Sequence, residues 1–290
     1  MRFLAILLGL GLSCSLHAAE LVDDDGRKIR IAAEKPRVIA LAPHLAELVF
    51  ALDAGDQLVG TVEWSNFPDA AKEVPRIGDA FRIDYERVLG LQPDLVLAWG
   101  GGTPKGVIAR LRELGQTVAV LTPDTLESIG RHVEWLGMAL GKQETAAEVA
   151  REFRDGIAQL RHRYEGSKAI TVFYQISAQP LFTVNGEHVI SEALRLCGGR
   201  NVFSDLDTLA PAVTLEAVLG RDPEAIVMGK SAAENGNVER WKQWPGLSAV
   251  KYHNLLGVDA EVLARATPRM LQGVRELCSS LEDARERIAE

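Results

Sequence analysis

Clustered positive charge, cysteine, paired histidines and long apolar runs are all scarce in this chain. Among its 290 residues, 32 are Lys or Arg against 40 Asp or Glu, a net charge of −8. The basic residues form no patch. Nucleic-acid binding draws on clustered Lys and Arg that neutralise phosphates, so that class is excluded. Beyond the N-terminus no stretch reaches the ~18 consecutive apolar residues of a membrane span. Catalytic signatures are missing as well. There is no Gly-x-Ser-x-Gly elbow and no Walker loop. Gly100-Gly101-Gly102-Thr103-Pro104-Lys105-Gly106 lacks the spacing of a phosphate or dinucleotide loop. It reads as a close-packed turn, or as backbone kept thin beside a ligand. The histidines at 44, 132, 162, 188 and 253 form no His-x-x-x-His or His-Glu-x-x-His pair, against a dedicated zinc or manganese site. The expectation is no catalytic residue, no resident metal and no enzyme.

What is present is ordinary globular composition, 47% apolar and 25% charged, with one exception at the start. Arg2, the apolar run Phe3 to Leu12 and the small residues ending at Ala18-Ala19 describe a secretory signal peptide over residues 1–19. A lipoprotein cut before Cys14 would need a better lipobox than Gly11-Leu12-Ser13. The remainder is expected to be soluble outside the cytoplasm. Two cysteines then remain, Cys197 and Cys278, and an even count in an exported chain suggests a disulfide. Two unrelated buried thiols are the alternative.

Residues 21–35 read as a hairpin turning at Asp25-Gly26. From Arg37 to Leu121, apolar strands alternate with amphipathic helices, the pattern of parallel βα units. Asp84 is placed to cap a helix that ends at Gly90. Residues 126–165 carry no strand pattern. Val149, Phe153, Ile157, Leu160 and Tyr164 form one stripe of a long helix. The alternation then resumes at Ala169. Glu86-Arg87-Val88-Leu89-Gly90-Leu91-Gln92-Pro93-Asp94 returns as Glu216-Ala217-Val218-Leu219-Gly220-Arg221-Asp222-Pro223-Glu224. These observations predict an α/β protein of two Rossmann-like βα lobes, with the ligand cleft between them. The lobes span 20–140 and 167–290, and a single long backbone helix over 141–166 joins them.

Ligands of parallel α/β sheets sit at the carboxyl ends of strands. Trp64 and Trp99 both follow or end a strand there, placed either to stack on a large flat ligand or to pack in the core. Phe182 follows a strand in the second half and is a further candidate. Trp241 and Trp244 read as structural anchors of the second lobe.

The ordered set Pro36-Arg37-Val38-Ile39-Ala40-Leu41-Ala42-Pro43 with Glu47, Glu86-Arg87-Val88, Gln92-Pro93-Asp94-Leu95-Val96-Leu97-Ala98-Trp99, Pro180-Leu181-Phe182-Thr183, Cys197-Gly198-Gly199-Arg200-Asn201-Val202-Phe203 and Arg265-Ala266-Thr267-Pro268-Arg269 resembles the ABC-transporter solute-binding proteins with a rigid helical backbone. Within them it is similar to the cobalamin-binding members. The resemblance implies a monomer that carries cobalamin, or a similar tetrapyrrole, as transported ligand and hands it to an ABC importer permease dimer. It implies a Cys197–Cys278 disulfide. Glu86 and Glu216 match the glutamates, one per lobe, that dock on permease arginines. Trp64 and Trp99 match cleft aromatics, and Phe81 and Tyr85 join Phe182 as further ligand-contact candidates. Ala80 and Ala210 stand where cobalamin-binding members carry pocket tryptophans. That leaves a reshaped cobalamin pocket, or a different ligand such as heme or a ferric siderophore. Heme would ask for an axial Tyr or His, for which Tyr85 and His44 are the candidates. Asp259-Ala260-Glu261 matches the late cleft loop only loosely. In another class, the fold would suit a secreted metal-handling enzyme, which the missing catalytic constellation argues against.

Overall fold

The structure is a computed structural model describing residues 20–79 and 81–290. The expected signal peptide, with Cys14, and Ala80 lie outside the described residues.

A hairpin of β1 (Glu20–Val22) and β2 (Lys28–Arg30) opens the chain, with Gly26 left-handed at its turn. The first lobe then builds β3 (Val38–Ala40), helix α1 (Pro43–Ala51), β4 (Leu58–Thr61), α2 (Tyr85–Gly90), β5 (Leu95–Trp99), α3 (Lys105–Glu113) and β6 (Val118–Leu121). Its four strands lie in the order β4-β3-β5-β6, all parallel. Next come α4 (Leu126–Leu140) and α5 (Gln143–Tyr164). The second lobe holds β7 (Ile170–Gln175), the small hairpin β8 (Ser177–Ala178) and β9 (Leu181–Phe182), then α6 (Val189–Leu196) and β10 (Gly199–Asn201). It continues through α7 (Leu215–Arg221), β11 (Ala225–Gly229) and β12 (Leu255–Val258). A C-terminal helix, Met270–Ala289, closes the chain. The second sheet, β10-β7-β11-β12, is likewise all parallel.

Strands buried on both faces read as continuous apolar runs, and here each face meets a different core. Along β5, Leu95 and Leu97 enter one cluster and Val96 and Ala98 the other. Along β11, Ala225 and Val227 face one side and Ile226 and Met228 the opposite.

The helices explain how the lobes are joined. The α5 stripe is present, and at 1.5 Å per residue its 22 residues span about 33 Å. Phe153, Ile157, Leu160 and Tyr164 enter the core of the second lobe, whereas Ala146 and Ala150 belong to the first. The helix is not alone in this. Leu126 and Ile129 at the start of α4 pack in the second lobe's core, while Val133, Leu136 and Leu140 pack in the first. The junction is thus an antiparallel helix pair lying across one face of both sheets, where the sequence suggested one helix. Thr125 and Ser128 form a capping box at the start of α4, and Gly141 ends it in the left-handed conformation. At Gly137 a side chain would meet the Ala146 Cβ at 2.2 Å, so the pair approaches as closely as it does only because that position is glycine.

The repeat is real at backbone level. Helix α2 ends at Gly90, as read from the sequence, and Gly220 lies in the last turn of α7. The left-handed residues are Gln92 and Asp222, directly before Pro93 and Pro223.

Cys197, at the end of α6, and Cys278, in the C-terminal helix, form a disulfide across 81 residues within the second lobe's core. Replacing both by serine is expected to cost roughly 4 kcal/mol, the loop-closure entropy of such an interval. Urea unfolding of the two proteins, both oxidised, measures the difference.

Candidate functional site

The carboxyl ends of the strands in both sheets face one another across a cavity of about 700 Å³. Such a volume lies within the ~300–1,000 Å³ span of small-molecule sites. From the first lobe come Pro43 and His44, which start α1 just after β3. Trp99 and Gly101 follow at the end of β5, then Thr122 after β6. From the second come Tyr174 and Ile176 at the end of β7, His188 before α6, Ala210, Gly229 and Arg265. The wall is largely apolar.

Trp99 is held by its own glycine turn. A side chain on Gly102 would meet the indole at 1.9 Å, so the ring lies directly on thin backbone. Thr103 fixes the turn by accepting from the Trp99 N–H through Oγ1 at 3.0 Å. His44 stands against Trp99 with ring centroids 5.4 Å apart and planes at 87°. Its Nε2 is buried without a hydrogen-bond partner. Burial, with smaller contributions from His132 and Arg265, pushes the His44 imidazole down to about 3. Burial also pushes His188 down to about 4. The His188 Nδ1 accepts from the Ile190 N–H at 3.1 Å and caps α6. Burial raises the Tyr174 hydroxyl well above its ordinary value, so it stays protonated. Both cleft imidazoles are therefore neutral near pH 7.

Where the cleft runs out, the lobes are tied. Glu47 of α1 is 3% exposed. It accepts from Thr267 Oγ1 at 2.6 Å and from the Arg269 Nε and Nη2 at 3.0 and 2.9 Å. Arg265 reaches the same carboxylate at 3.4 Å and also donates to the Asn66 Oδ1 at 2.5 Å and the Trp64 carbonyl at 3.2 Å. The Arg269 guanidinium covers the Phe67 ring, 3.6 Å from its centroid.

The residues singled out from the sequence fall in different places. Trp99 lines the cavity. Trp64 lies outside the cavity wall, with its indole 79% exposed and its backbone left-handed at φ 67°. That conformation costs an L-residue roughly 1–2 kcal/mol, and the Arg265 bond to its carbonyl helps to hold it. Phe81 is 75% exposed on a turn whose N–H groups Asp79 accepts. Tyr85 is half-buried against the Ile39–Val62 core of the first lobe, away from the cavity wall. A tyrosine opening α2 follows the loop after β4 rather than a strand end, which is why it packs inward. Phe182 is half-buried in β9 and is not in the wall. Its carbonyl accepts from Ile176, which is. Ala210 is in the wall. Trp241 is buried and donates to the Gln175 Oε1 at 2.7 Å, whereas Trp244 is 39% exposed. Glu86 and Glu216 are both exposed, in the first turns of α2 and α7. Among the described residues, no three His, Cys, Asp or Glu side chains gather as a metal site.

Tyr174, His188 and Arg265 were not singled out for the cleft. Tyr174 ends a strand, and the rule that selected Trp99 selects it too.

The neutral histidines carry a pH dependence. Unfolding returns each to an ordinary pKa near 6.5, so below that value the unfolded chain binds more protons and stability falls as pH drops. The slope contributed between about pH 6.5 and 4 is at most ~1.4 kcal/mol per pH unit for each histidine. Urea denaturation at stepped pH should show this decline, and His44→Leu should flatten it.

Comparison with known proteins places this geometry. The periplasmic binding protein family matches residues 38–262. A vitamin B12-binding protein of Vibrio cholerae is 36% identical over 249 residues, 86% of this chain and 90% of its own length. One from Pectobacterium carotovorum is 35% identical over 247 residues, 84% and 88% of the two chains. The solved periplasmic vitamin B12-binding protein BtuF of Vibrio cholerae superposes with a TM-score of 0.82, covering 86% of this chain and 98% of its own. The periplasmic heme-binding protein RhuT from Roseiflexus shares the fold, with a TM-score of 0.76 at 21% identity over 86% and 99%.

Proposed function

The chain belongs to the periplasmic binding protein family, and we propose that it captures cobalamin, or a closely related corrinoid, for an ABC importer. The reading rests on kinship with vitamin B12-binding proteins along nearly their whole length. The interlobe cavity is consistent with it: its wall is apolar, one indole is laid bare on a glycine turn, and Ala210 leaves room for a bulky macrocycle. Binding is by shape and dispersion on Trp99 and Ile176, with polar groups at the rim. Trp64 and Phe81, exposed on the first lobe, are read as covering the ligand when it is seated. Tyr85 and Phe182 then act through the core and through Ile176. No bond of the ligand is made or broken, so the protein is not an enzyme. Residues 1–19 direct export and are removed, and the mature protein works as a periplasmic monomer.

Glu86 and Glu216 are read as the docking carboxylates. They occupy the same turn of equivalent helices, one in each lobe, and among the described residues neither is in an ion pair. Two such carboxylates suit a two-fold permease, where charge complementarity sets orientation and encounter rate.

Calorimetric titration of residues 20–290 with cyanocobalamin tests the ligand, with heme and a ferric siderophore in parallel. One-to-one cyanocobalamin binding at submicromolar affinity is expected. Heat only from heme would move the assignment to that tetrapyrrole. Trp64→Ala should weaken cyanocobalamin binding by more than ~1 kcal/mol, the scale of one aromatic contact. An unchanged affinity would confine that indole to the free surface.

The double substitution Glu86→Ala, Glu216→Ala should leave the titration unaltered and weaken capture by the importer in detergent or nanodiscs at least tenfold. Equal capture of the two proteins would remove the docking role.

A further inference from the structure

Among the described residues, one fully buried side-chain nitrogen of the cavity wall is left without a partner, and its chemistry is specific. A buried nitrogen lacking a hydrogen bond costs roughly 1–3 kcal/mol, so native structures seldom keep one without a use. The His44 Nε2 is such an atom, on a residue of the cavity wall. We propose that His44 is an axial ligand to the metal of the bound tetrapyrrole, so that the cleft selects corrinoids whose cobalt carries an exchangeable axial water. The proposal rests on the corrinoid reading above.

Three observations converge on this nitrogen. The imidazole is neutral over the whole physiological range, held so by its burial. In the Nδ1–H tautomer the Nε2 lone pair is free. The ring also stands at 87° to the Trp99 indole. Any macrocycle stacked parallel to that indole meets the imidazole edge-on, the attitude in which an axial imidazole binds. Finally, turning Nε2 toward the ligand is a rotation about Cβ–Cγ, a broad torsion, and breaks no hydrogen bond at that nitrogen.

The other histidines do not share these properties. The His188 Nδ1 accepts from the Ile190 N–H, so it carries no proton, and its Nε2 must carry one and act as a donor. The His132 Nε2 is 2.7 Å from the Asp24 carboxylate. Among the described residues, no Lys, Met or Cys lines the cavity.

The step is a ligand substitution. The cobalt–oxygen bond of the axial water breaks, the Nε2 lone pair forms the cobalt–nitrogen bond, and water leaves. The proton on Nδ1 stays where it is, and the cobalt oxidation state does not change. Cyanocobalamin, with cyanide on one axial face and its own benzimidazole on the other, offers no such site. It is therefore held by stacking alone.

Diaquacobinamide, which has no benzimidazole, is the probe, with cyanocobalamin as reference. Binding of diaquacobinamide to the wild-type protein should shift its visible bands from the water-ligated to the nitrogen-ligated position. The shift should be lost in His44→Ala and persist in His132→Ala, a histidine outside the cavity wall. His44→Ala should lower affinity for diaquacobinamide at least tenfold more than it lowers affinity for cyanocobalamin. His44→Phe, which keeps bulk against Trp99, serves as the second variant if the alanine protein does not fold. Diaquacobinamide binding to the wild type with an unshifted spectrum overturns the proposal, as does a shift that survives loss of His44. In either case cyanocobalamin binding leaves the ligand reading intact. Failure of both corrinoids to bind overturns the two together.

Discussion

One buried carboxylate fixes how the two lobes face each other. Glu47 is almost wholly removed from water, and a charge so placed costs several kcal/mol unless it is paired and fully hydrogen-bonded. All of its partners come from the other lobe. Thr267 and the Arg269 fork bind it at 2.6–3.0 Å, and Arg265 approaches at 3.4 Å. Separating the lobes along this edge would strand a buried anion. The same two arginines reach beyond Glu47, Arg265 to the Trp64 carbonyl and Arg269 over the Phe67 ring. The loop after β4 is therefore positioned by a residue more than two hundred positions away. The α4–α5 pair supplies a second attachment, because each helix leaves side chains in both cores. Two attachments at separate places both oppose hinging between the lobes.

That rigidity determines what kind of site the cleft is. Open α/β sheets gather their ligand groups at the carboxyl ends of strands, and here two such ends are set opposite one another. Trp99 can lie where it does only because Gly101 and Gly102 put no side chain against its ring. A valine at any of them would collide with the indole or with Thr122. Pre-shaping of this sort reduces the ordering cost of binding. It suits a large, stiff, flat ligand better than a small flexible one.

Much of this was legible in the sequence, and the limits are physical. Continuous apolar strands and amphipathic helices are local patterns, so the βα alternation, the α5 stripe and the 130-residue repeat could be read directly. The partner role of α4 could not. Leu126 and Leu140 lie on one amphipathic helix, and nothing in their spacing says that they enter different cores. The Cys197–Cys278 disulfide was read from the even cysteine count and the resemblance, and the fold supplies its geometry by bringing α6 against the C-terminal helix. Among site residues, Trp99 was found because a strand end can be recognised locally. The packing of Tyr85 against the first-lobe core could not be read, because an aromatic at a helix start looks the same whether it faces a cleft or a core. The Glu47 contacts join residues 218 to 222 positions apart, and no local pattern encodes such a pairing. The segments that form it, around Glu47 and Arg265–Arg269, showed only as carriers of a resemblance.

The repeat carries the argument one step further. In each copy a side-chain cap opens the short helix, Asp84 accepting from the Arg87 N–H and Thr214 from the Ala217 N–H. In each a left-handed residue precedes the proline that leads to the strand, Gln92 in one and Asp222 in the other. Neither residue is glycine, so each helix exit carries the cost of an L-residue in that region. At Asp222 the side chain recovers part of it, accepting from the Ser248 N–H and hydroxyl at 2.8 Å. The local backbone solution is thus kept although its sequence has diverged, and Glu86 and Glu216 fall on the same turn of equivalent helices. With the lobes locked by Glu47 and the helix pair, the spacing between those two carboxylates becomes a fixed property of the molecule. A rigid pair of exposed charges presents one geometry to a partner, and electrostatic complementarity is sensitive to geometry in just this way.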